Sequence, residues 1–437
     1  MAALMAQFNK NTHQYTGDNK TLFETVMLAD QYGNLVGPSN PTGVAVDAFG
    51  RARVSMPMTL FDSSHRFKDN GLWSTANTSG GTYAHSVNEG LINMNVNTSS
   101  GAEVVRETTK VFSYQPGKSL LNLNTFVMAP AKTNLRQRVG YFGAQNGIYL
   151  ELNGSSLAFV ERSYVTGAIT ENRVTQANWN LDKLDGTGPS LMTLDITKAQ
   201  IMWTDIEWLG LGTVRVGFVI DGRLIHCHSF HHANIITSTY ITTASLPARY
   251  EITNTGVTSG SSTLKQICTS VMSEGGYELR GQQNGVGTLI TAPKNLTTKG
   301  TYYPVVSIRL KATALDAIVI PSALSFLGTG NGINYNWKLV IGAAITTGAW
   351  ADGGADSAVE YTILGTAMSG GRTLASGFIN SSNQGSPAFQ GLKESLFQFQ
   401  LERNSLTSTP TTLTLAVTSD TDNQNCFGSI DWEEVTR

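Results

Sequence analysis

One segment, residues 201–230, limits the fold of this chain more than any other. It reads IMWTDIEWLGLGTVRVGFVIDGRLIHCHSF. Two runs of apolar residues alternating with small or polar ones flank the dipeptide Asp221-Gly222, which supplies a two-residue turn. Alternating runs on either side of an Asp-Gly pair are a strong short-range signal for a β-hairpin. The segment therefore predicts two antiparallel strands, at 214–220 and 223–230.

The same pairing predicts which side chains share a face of the sheet. Residues two apart on a strand point the same way, so a turn flanked by Ile220 and Arg223 fixes both faces. The core face is expected to carry Val214, Val216, Phe218, Ile220, Ile225 and Cys227. The opposite face is expected to carry Arg215, Gly217, His226 and His228, with Val219 and Leu224 beside the turn.

Composition supports a β protein and argues against several partners. The 437 residues include 44 glycines and only 14 % charged residues, which fits many short strands joined by turns. A formal net charge of −2, with no basic cluster, argues against nucleic acid as a partner. No apolar run reaches the roughly 18–20 residues of a membrane span, so no membrane insertion is expected. The three cysteines form no Cys-x-x-Cys pair and are expected to be reduced thiols.

Strand-like runs divide the chain into four predicted segments. Residues 1–57 are polar and rich in Gly, Pro and Asn, which predicts either a disordered segment or an arm ordered against a neighbour, and we expect an assembly arm. Residues 58–280 contain many short alternating runs, as in a β-sandwich. Residues 281–299 are Gly-rich and polar and indicate a linker, and 300–437 indicate a second, smaller β domain. We therefore expect an all-β chain with an N-terminal arm and two antiparallel sandwiches.

Four of the seven histidines lie between positions 226 and 232. On a strand, His226 and His228 would project from one face, which is acceptable geometry for two metal ligands. Completing a site would require His231, His232 or a distant carboxylate. Because a His-x-His pair alone is a weak signal, we expect polar residues on a solvent or interface face and assign no metal or cofactor. His226 and His228 remain the only metal candidates.

Trp203, Asp205 and Glu207 are also expected on one face of a strand. An aromatic ring beside two carboxylates could hold a sugar by stacking and bidentate hydrogen bonds, so these three are candidate glycan-binding residues. The alternative is that the carboxylates pair with Arg215 or other cations across the sheet, because cross-strand charge pairs commonly stabilise sheets.

The segment WTDIEWLG resembles the catalytic strand of laminarinase-like glycoside hydrolases, which reads Glu-x-Asp-x-Glu followed by an aromatic residue and often Leu-Gly. That resemblance implies a concanavalin-like jelly roll for the large sandwich. Retaining glycosidases need two carboxylates about 5–5.5 Å apart. Here Trp203 occupies the position of the nucleophile, and Asp205 and Glu207 match only the helper and the acid/base. We therefore assign no catalytic residue and predict no enzymatic activity.

A set of motifs resembles a family of virion structural proteins of tailed bacteriophages, including marine and cyanobacterial ones. The motifs are DAFGRARVSMPMTLFDSSHRF, RETTKVFSYQPGKS, RVGYF, NWNLDKLDGTGPS, DIEWLGLGTVRVGFVIDG and LPARYEI, spread over residues 45–275. The resemblance implies a non-enzymatic component of the virion, assembled in the host cytoplasm, whose partners are copies of itself and other virion proteins. The alternative is a tail or fibre module that binds a host-surface glycan. A polysaccharide depolymerase is the least favoured alternative.

Overall fold

The computed structural model describes residues 57–276, 281–346, 348–382 and 399–436, together with the backbone of four short strands before residue 57. The chain divides into two compact units, Met1–Met56 and Pro57–Arg437. Two short pairs are described in the first unit: β1 (Gln14–Thr16) with β2 (Thr21–Phe23), and β3 (Leu28–Ala29) with β4 (Leu35–Val36). The rest of the predicted arm before residue 57 lies outside the described residues.

The second unit begins with an antiparallel sandwich, called the N-terminal sandwich below. Its elements are β5 (Met58–Ser64), β6 (Trp73–Thr78), β7 (Gly81–Ser86), β8 (Leu91–Val96), β9 (Glu103–Thr108), β10 (Ser119–Val127), β11 (Leu135–Phe142), β12 (Gly147–Asn153), β13 (Ser156–Ser163), β14 (Thr170–Thr175), a 3-10 helix (Gln176–Asn178), β15 (Gln200–Ile206), β16 (Val214–Ile220), β17 (Arg223–Phe230), β18 (Ala248–Asn254) and β19 (Ser262–Glu274).

Two sheets face each other in this sandwich. The eight-stranded sheet has the order β17-β16-β15-β10-β19-β8-β7, with β5 also paired to β19. The seven-stranded sheet has the order β14-β13-β12-β11-β18-β9-β6. Inward side chains of both sheets, such as Phe126 and Phe218 on one and Phe159 and Tyr250 on the other, belong to one buried hydrophobic core. Each strand therefore has a core face and an outer face.

The C-terminal domain is a second, smaller β structure with its own core. Its strands are β20 (Gln282–Gly287), β21 (Lys294–Leu296), β22 (Tyr303–Leu310), β23 (Ile318–Gly328), β24 (Asn334–Thr346), β25 (Ala351–Asp352), β26 (Val359–Thr362), β27 (Ala367–Asn380), β28 (Arg403–Asn404), β29 (Thr409–Pro410), β30 (Leu413–Ser419) and β31 (Gln424–Thr436). A four-stranded sheet (β20-β31-β21, with β23 paired to β31) and a six-stranded sheet (β25-β26-β22-β30-β24-β27) enclose that core. The predicted all-β fold is thus confirmed.

The segment predicted as a linker, 281–299, contains two strands. Both β20 and β21 pair antiparallel with β31, the last strand of the described chain. Their sequences, QQNGVG and KNL, lack an alternating apolar pattern. Backbone pairing to β31 therefore forms strands where the sequence signals only a loop.

A buried polar contact joins the two domains of the second unit. The guanidinium of Arg403, which is 2 % exposed, donates from Nη2 to Glu107 Oε1 at 2.8 Å and from Nη1 to the carbonyl oxygen of Thr108 at 2.5 Å. Beside it, Val111 of the N-terminal sandwich packs against Ile318 and Ile320. Charge, hydrogen bonds and apolar contact therefore all cross this interface.

Within the described residues, no helix is long and apolar enough to cross a membrane.

The predicted hairpin is present with the predicted ends. Strand β16 ends at Ile220 and β17 begins at Arg223. The two turn residues, Asp221 and Gly222, have φ values of +51° and +74°. Positive φ at both central positions is the type I′ geometry, which matches the twist of the strands it joins.

Candidate functional site

Strand β15 places Trp203 and Asp205 on the outer face of the eight-stranded sheet. Its alternate residues Met202 and Ile206 enter the core. Because side chains alternate along a strand, Trp203 and Asp205 point the other way. On the neighbouring strand β16, Gly217 lies opposite Trp203 and Arg215 lies opposite Asp205.

Trp203 is buried although it points away from the core. Only 5 % of its surface is exposed. A glycine opposite it makes this possible, because a Cβ atom at Gly217 would stand 2.9 Å from Nε1 and Cζ2 of the indole. The imidazole of His226 lies on the same side, with ring centroids 5.4 Å apart. The indole is therefore too buried to provide the open stacking surface that the sequence analysis considered for Trp203.

Asp205 forms the cross-strand ion pair that the sequence analysis gave as the alternative to sugar binding. Its Oδ2 accepts a hydrogen bond from Nη2 of Arg215, whose side chain is 48 % exposed. The other carboxylate oxygen, Oδ1, is buried and has no hydrogen-bond partner among the described residues. Nε1 of Trp203 is likewise buried and without an acceptor there. One free donor and one free acceptor thus lie two residues apart on β15.

The residues Trp203 and Asp205 line a depression of about 290 Å³ on the outer face. Residues from strands β10, β15, β16, β17 and β19 surround it: Ser119, Leu121, Trp203, Asp205, Arg215, Leu224, His226 and Glu274. Two carboxylates and one guanidinium are thus combined with two leucines. The mixture of polar groups and apolar wall is typical of small-molecule sites.

Glu207 does not line the depression. Strand β15 ends at Ile206, and the chain then turns, with the N–H groups of Leu211 and Gly212 donating to the carbonyl oxygen of Trp208. Glu207 is exposed at this strand end. Of the three candidate glycan-binding residues, the structure therefore brings only Trp203 and Asp205 together.

His226 and His228 occupy different surroundings, because the ladder between β16 and β17 shifts register between Val216 and Gly217. His226 lies opposite Gly217, and its Nε2 is 2.9 Å from Oγ of Ser229. His228 lies opposite Val216, a core residue, and its Nδ1 accepts a hydrogen bond from the N–H of Asn180. The prediction that both histidines share one face is therefore wrong, because β17 carries a bulge at this point.

Burial keeps both imidazoles neutral near pH 7. Burial, with the nearby positive charge of Arg215, lowers the pKa of His226. Burial, with His231 and His226 nearby, lowers the pKa of His228 to about 4. In the described ranges, no group of three His, Cys, Asp or Glu side chains is arranged to hold a metal ion. His226 and His228 thus do not form part of such a cluster.

A third histidine of the cluster forms a separate, buried ion pair. Nε2 of His232 is 2.7 Å from Glu161 Oε2, and Nδ1 is 2.6 Å from the carbonyl oxygen of Gly212. The ring stacks on Tyr240 at 3.9 Å. Burial lowers the pKa of His232, but the Glu161 carboxylate and the Gly212 carbonyl outweigh it and raise the pKa overall. His232 therefore links Glu161 on β13 to the loop between β15 and β16 that contains Gly212.

Sequence reasoning missed three of the eight residues that line the depression. Ser119 and Leu121 belong to β10, and Glu274 ends β19. Both strands are far along the chain from β15 and reach it through sheet pairing. Alternation in SLLNLNTFV does place Leu121 on one face with Leu123, but no local signal shows that β15 lies beside it.

No protein-family model matches this chain. No curated protein matches it by sequence. The resemblance to virion proteins of tailed phages therefore stays a prediction.

Some solved structures are similar in fold. One is a conserved carbohydrate esterase from the Shiga toxin-encoding bacteriophage phi24B, 12 % identical, covering 50 % of this chain and 99 % of that one, with a TM-score of 0.29. Another is the CBM2 module of the evolved Dit of Lactobacillus casei BL23 phage J-1, 6 % identical over 52 % of this chain and 100 % of that one, with a TM-score of 0.32. A third is arcelin-5, a lectin-like defence protein from Phaseolus vulgaris, 10 % identical over 50 % and 99 %, with a TM-score of 0.30. Scores this low establish no function.

Proposed function

We propose that this chain is a non-enzymatic, glycan-binding component of a tailed-phage particle, and that the depression beside Trp203 holds one neutral sugar unit. The observation that carries the proposal is the pair of buried, unpartnered groups on the outer face of β15, Trp203 Nε1 and Asp205 Oδ1. Buried polar groups nearly always have partners, so each one without a partner needs an explanation. Sugar hydroxyls both donate and accept hydrogen bonds, so a sugar can satisfy a donor as well as an acceptor.

The net charge and the volume of the depression limit which sugars can bind there. The ionised side chains around the depression are Asp205, Glu274 and Arg215, since the lowered pKa of His226 leaves it neutral. The sum is one negative charge, which disfavours uronic and other acidic sugars. A volume of about 290 Å³ is at the small end for ligand pockets and suits one sugar ring. The half-exposed Arg215 side chain would change rotamer to admit it.

Binding of neutral and acidic polysaccharides, measured by titration calorimetry, tests this proposal. We expect saturable binding of a neutral polysaccharide only, and a loss of about tenfold in Trp203→Phe, which keeps a ring but removes the donor. Because Trp203 is buried, the exposed Leu224 provides a second variant. Leu224→Glu should abolish binding, whereas Leu289→Glu, at a similarly exposed leucine of the C-terminal domain, should not.

Three outcomes would each contradict part of the proposal. If the chain binds no polysaccharide, the proposed glycan binding is wrong. If Leu224→Glu binds with the same affinity as wild type, the depression is not the binding site. New reducing ends during the titration would show hydrolysis and contradict the non-enzymatic assignment. We expect none, because Trp203 stands at the nucleophile position and Asp205 is bound to Arg215.

The assignment of this chain to a tailed-phage particle is proposed from the phage-protein motifs between residues 45 and 275. Intact particles, imaged with an antibody to the C-terminal domain, test it beside disrupted ones. Label at the tail tip or fibres supports a role in host recognition. Label on the head or neck supports a decoration or connector protein, and particles without the chain would contradict the proposal.

A further inference from the structure

Strand β27 is the edge of the six-stranded sheet in the C-terminal domain. It runs for 14 residues, Ala367–Asn380, and among the described residues it pairs only with β24. At the opposite edge of the same sheet, β25 has only two residues. An edge strand presents outward-pointing N–H and C=O groups to any other strand that can align with it.

Charged residues and prolines, which usually protect an edge strand, are scarce on β27, although a bulge at Leu374 interrupts it. It contains one charged residue, Arg372, and no proline. By contrast, the edge strand β14 of the N-terminal sandwich carries Glu171 and Arg173 within six residues. A register shift between Leu339 and Val340 on β24 interrupts the ladder, leaving residues 375–380 as a regular, uncharged stretch. This stretch includes Phe378, whose surface is 82 % exposed.

We infer that residues 375–380 pair antiparallel with the same residues of a second copy of this chain. In a two-fold contact both subunits use the same surface, so the strand lies against a copy of itself. Because residues 375–380 are uncharged, the two copies bring no like charges together. With the axis at Gly377, Ser376 lies opposite Phe378 of the partner subunit, and Ala375 lies opposite Ile379 of the partner subunit. The six-stranded sheet then continues across two subunits.

This inference is independent of the glycan site. The depression beside Trp203 lies on the N-terminal sandwich, whereas β27 belongs to the C-terminal domain. Loss of self-pairing therefore leaves sugar binding by a single chain intact. Conversely, Leu224→Glu should leave the assembly unchanged.

The mass of the full chain in solution, measured by light scattering over a range of concentrations, tests the inference. Phe378→Lys places a cation on the pairing stretch, and Phe67→Lys provides the control, because the two rings are 82 % and 81 % exposed. We expect wild type and Phe67→Lys to contain an even number of copies and Phe378→Lys to contain half that number. Exchange of those amides of residues 375–380 that point away from β24 should be slow in wild type and fast in Phe378→Lys.

A wild-type chain that stays monomeric at every concentration overturns the inference, since β27 is then open or covered by something other than a second copy. A Phe378→Lys chain with the same mass and the same amide protection as wild type also overturns it, because assembly then uses another surface.

Discussion

The two outer faces of the N-terminal sandwich differ in how their charges are satisfied. On the seven-stranded sheet, the carboxylates of Glu107, Glu151, Glu171 and Glu251 each contact at least two arginines. On the eight-stranded sheet, Asp205 has one half-exposed arginine and an oxygen without a partner. Breaking a buried charge pair is costly, whereas a buried polar group without a partner can be satisfied by a ligand. The comparison therefore separates the face whose carboxylates are paired from the face on which we propose that a sugar binds.

The outer face of the seven-stranded sheet, called the paired face below, is built by the same alternation of side chains along each strand that builds the depression. Arg138 donates to Glu151 at 2.7 Å and to Glu251 at 3.4 Å, and Arg249 donates to Glu251 at 2.7 Å. Glu251 lies opposite Arg138 on the adjacent strand. It is 4 % exposed, and although burial raises its pKa, the charges of Arg249 and Arg138 lower the pKa overall. The network stays ionised because its members neutralise one another.

The largest expected effect separates the two faces directly. Glu251→Gln keeps the size of the side chain but leaves two buried arginines short of a charge partner, and should cost about 3–5 kcal/mol of unfolding free energy. The matched change Asp205→Asn, opposite a half-exposed arginine, should cost less than about 1 kcal/mol. Urea unfolding of both variants measures the difference. Equal losses would mean that the two faces are not distinct in energy.

A second effect concerns the end of the paired face that contacts the C-terminal domain. Arg403→Met removes the buried hydrogen bonds to Glu107 and Thr108 and should cost about 2–3 kcal/mol. Arg215→Met, the same replacement beside the depression, should cost less than about 1 kcal/mol. Calorimetry should also split the melting of Arg403→Met into two transitions, because the domains lose their charged link. A single transition at the wild-type temperature would contradict this.

A smaller effect tests the packing of the depression. In Gly217→Ala, the new Cβ would stand 2.0 Å from the carbonyl oxygen of Ile225 and 2.9 Å from the indole of Trp203. Strand β17 or the ring must move, and the expected cost is about 1–3 kcal/mol. Gly260→Ala is the control, since its nearest atom would be 3.7 Å away. It should change the unfolding free energy by less than about 0.5 kcal/mol. A neutral Gly217→Ala would show that the indole is not held against this backbone.

The comparison also explains what the sequence can predict. Asp221-Gly222 predicted the hairpin and its ends, because a type I′ turn is specified by two adjacent residues. The bulge that moves His228 toward the core is set by pairing across strands and has no local signal. The Asp205–Arg215 pair was foreseen as the alternative to sugar binding. Its unpartnered oxygen was not, because hydrogen bonding depends on neighbours from distant strands.

The smallest expected effect is the pH dependence that Glu171, on the paired face, contributes to stability. Burial raises the pKa of Glu171, but hydrogen bonds from Tyr149 and Arg162 and the charges of Arg162 and Arg173 lower it to about 2 overall. A carboxyl whose pKa is lower in the folded chain contributes stability that is complete above its unfolded value. That contribution declines as the pH falls from the ordinary glutamate pKa of 4.5 toward 2. Urea midpoints at pH 5 and pH 3 should therefore fall less in Glu171→Gln than in wild type. Equal decreases of the urea midpoint in the two chains would show that the arginines around Glu171 do not stabilise its charge. Charge pairing would then no longer distinguish the paired face from the depression.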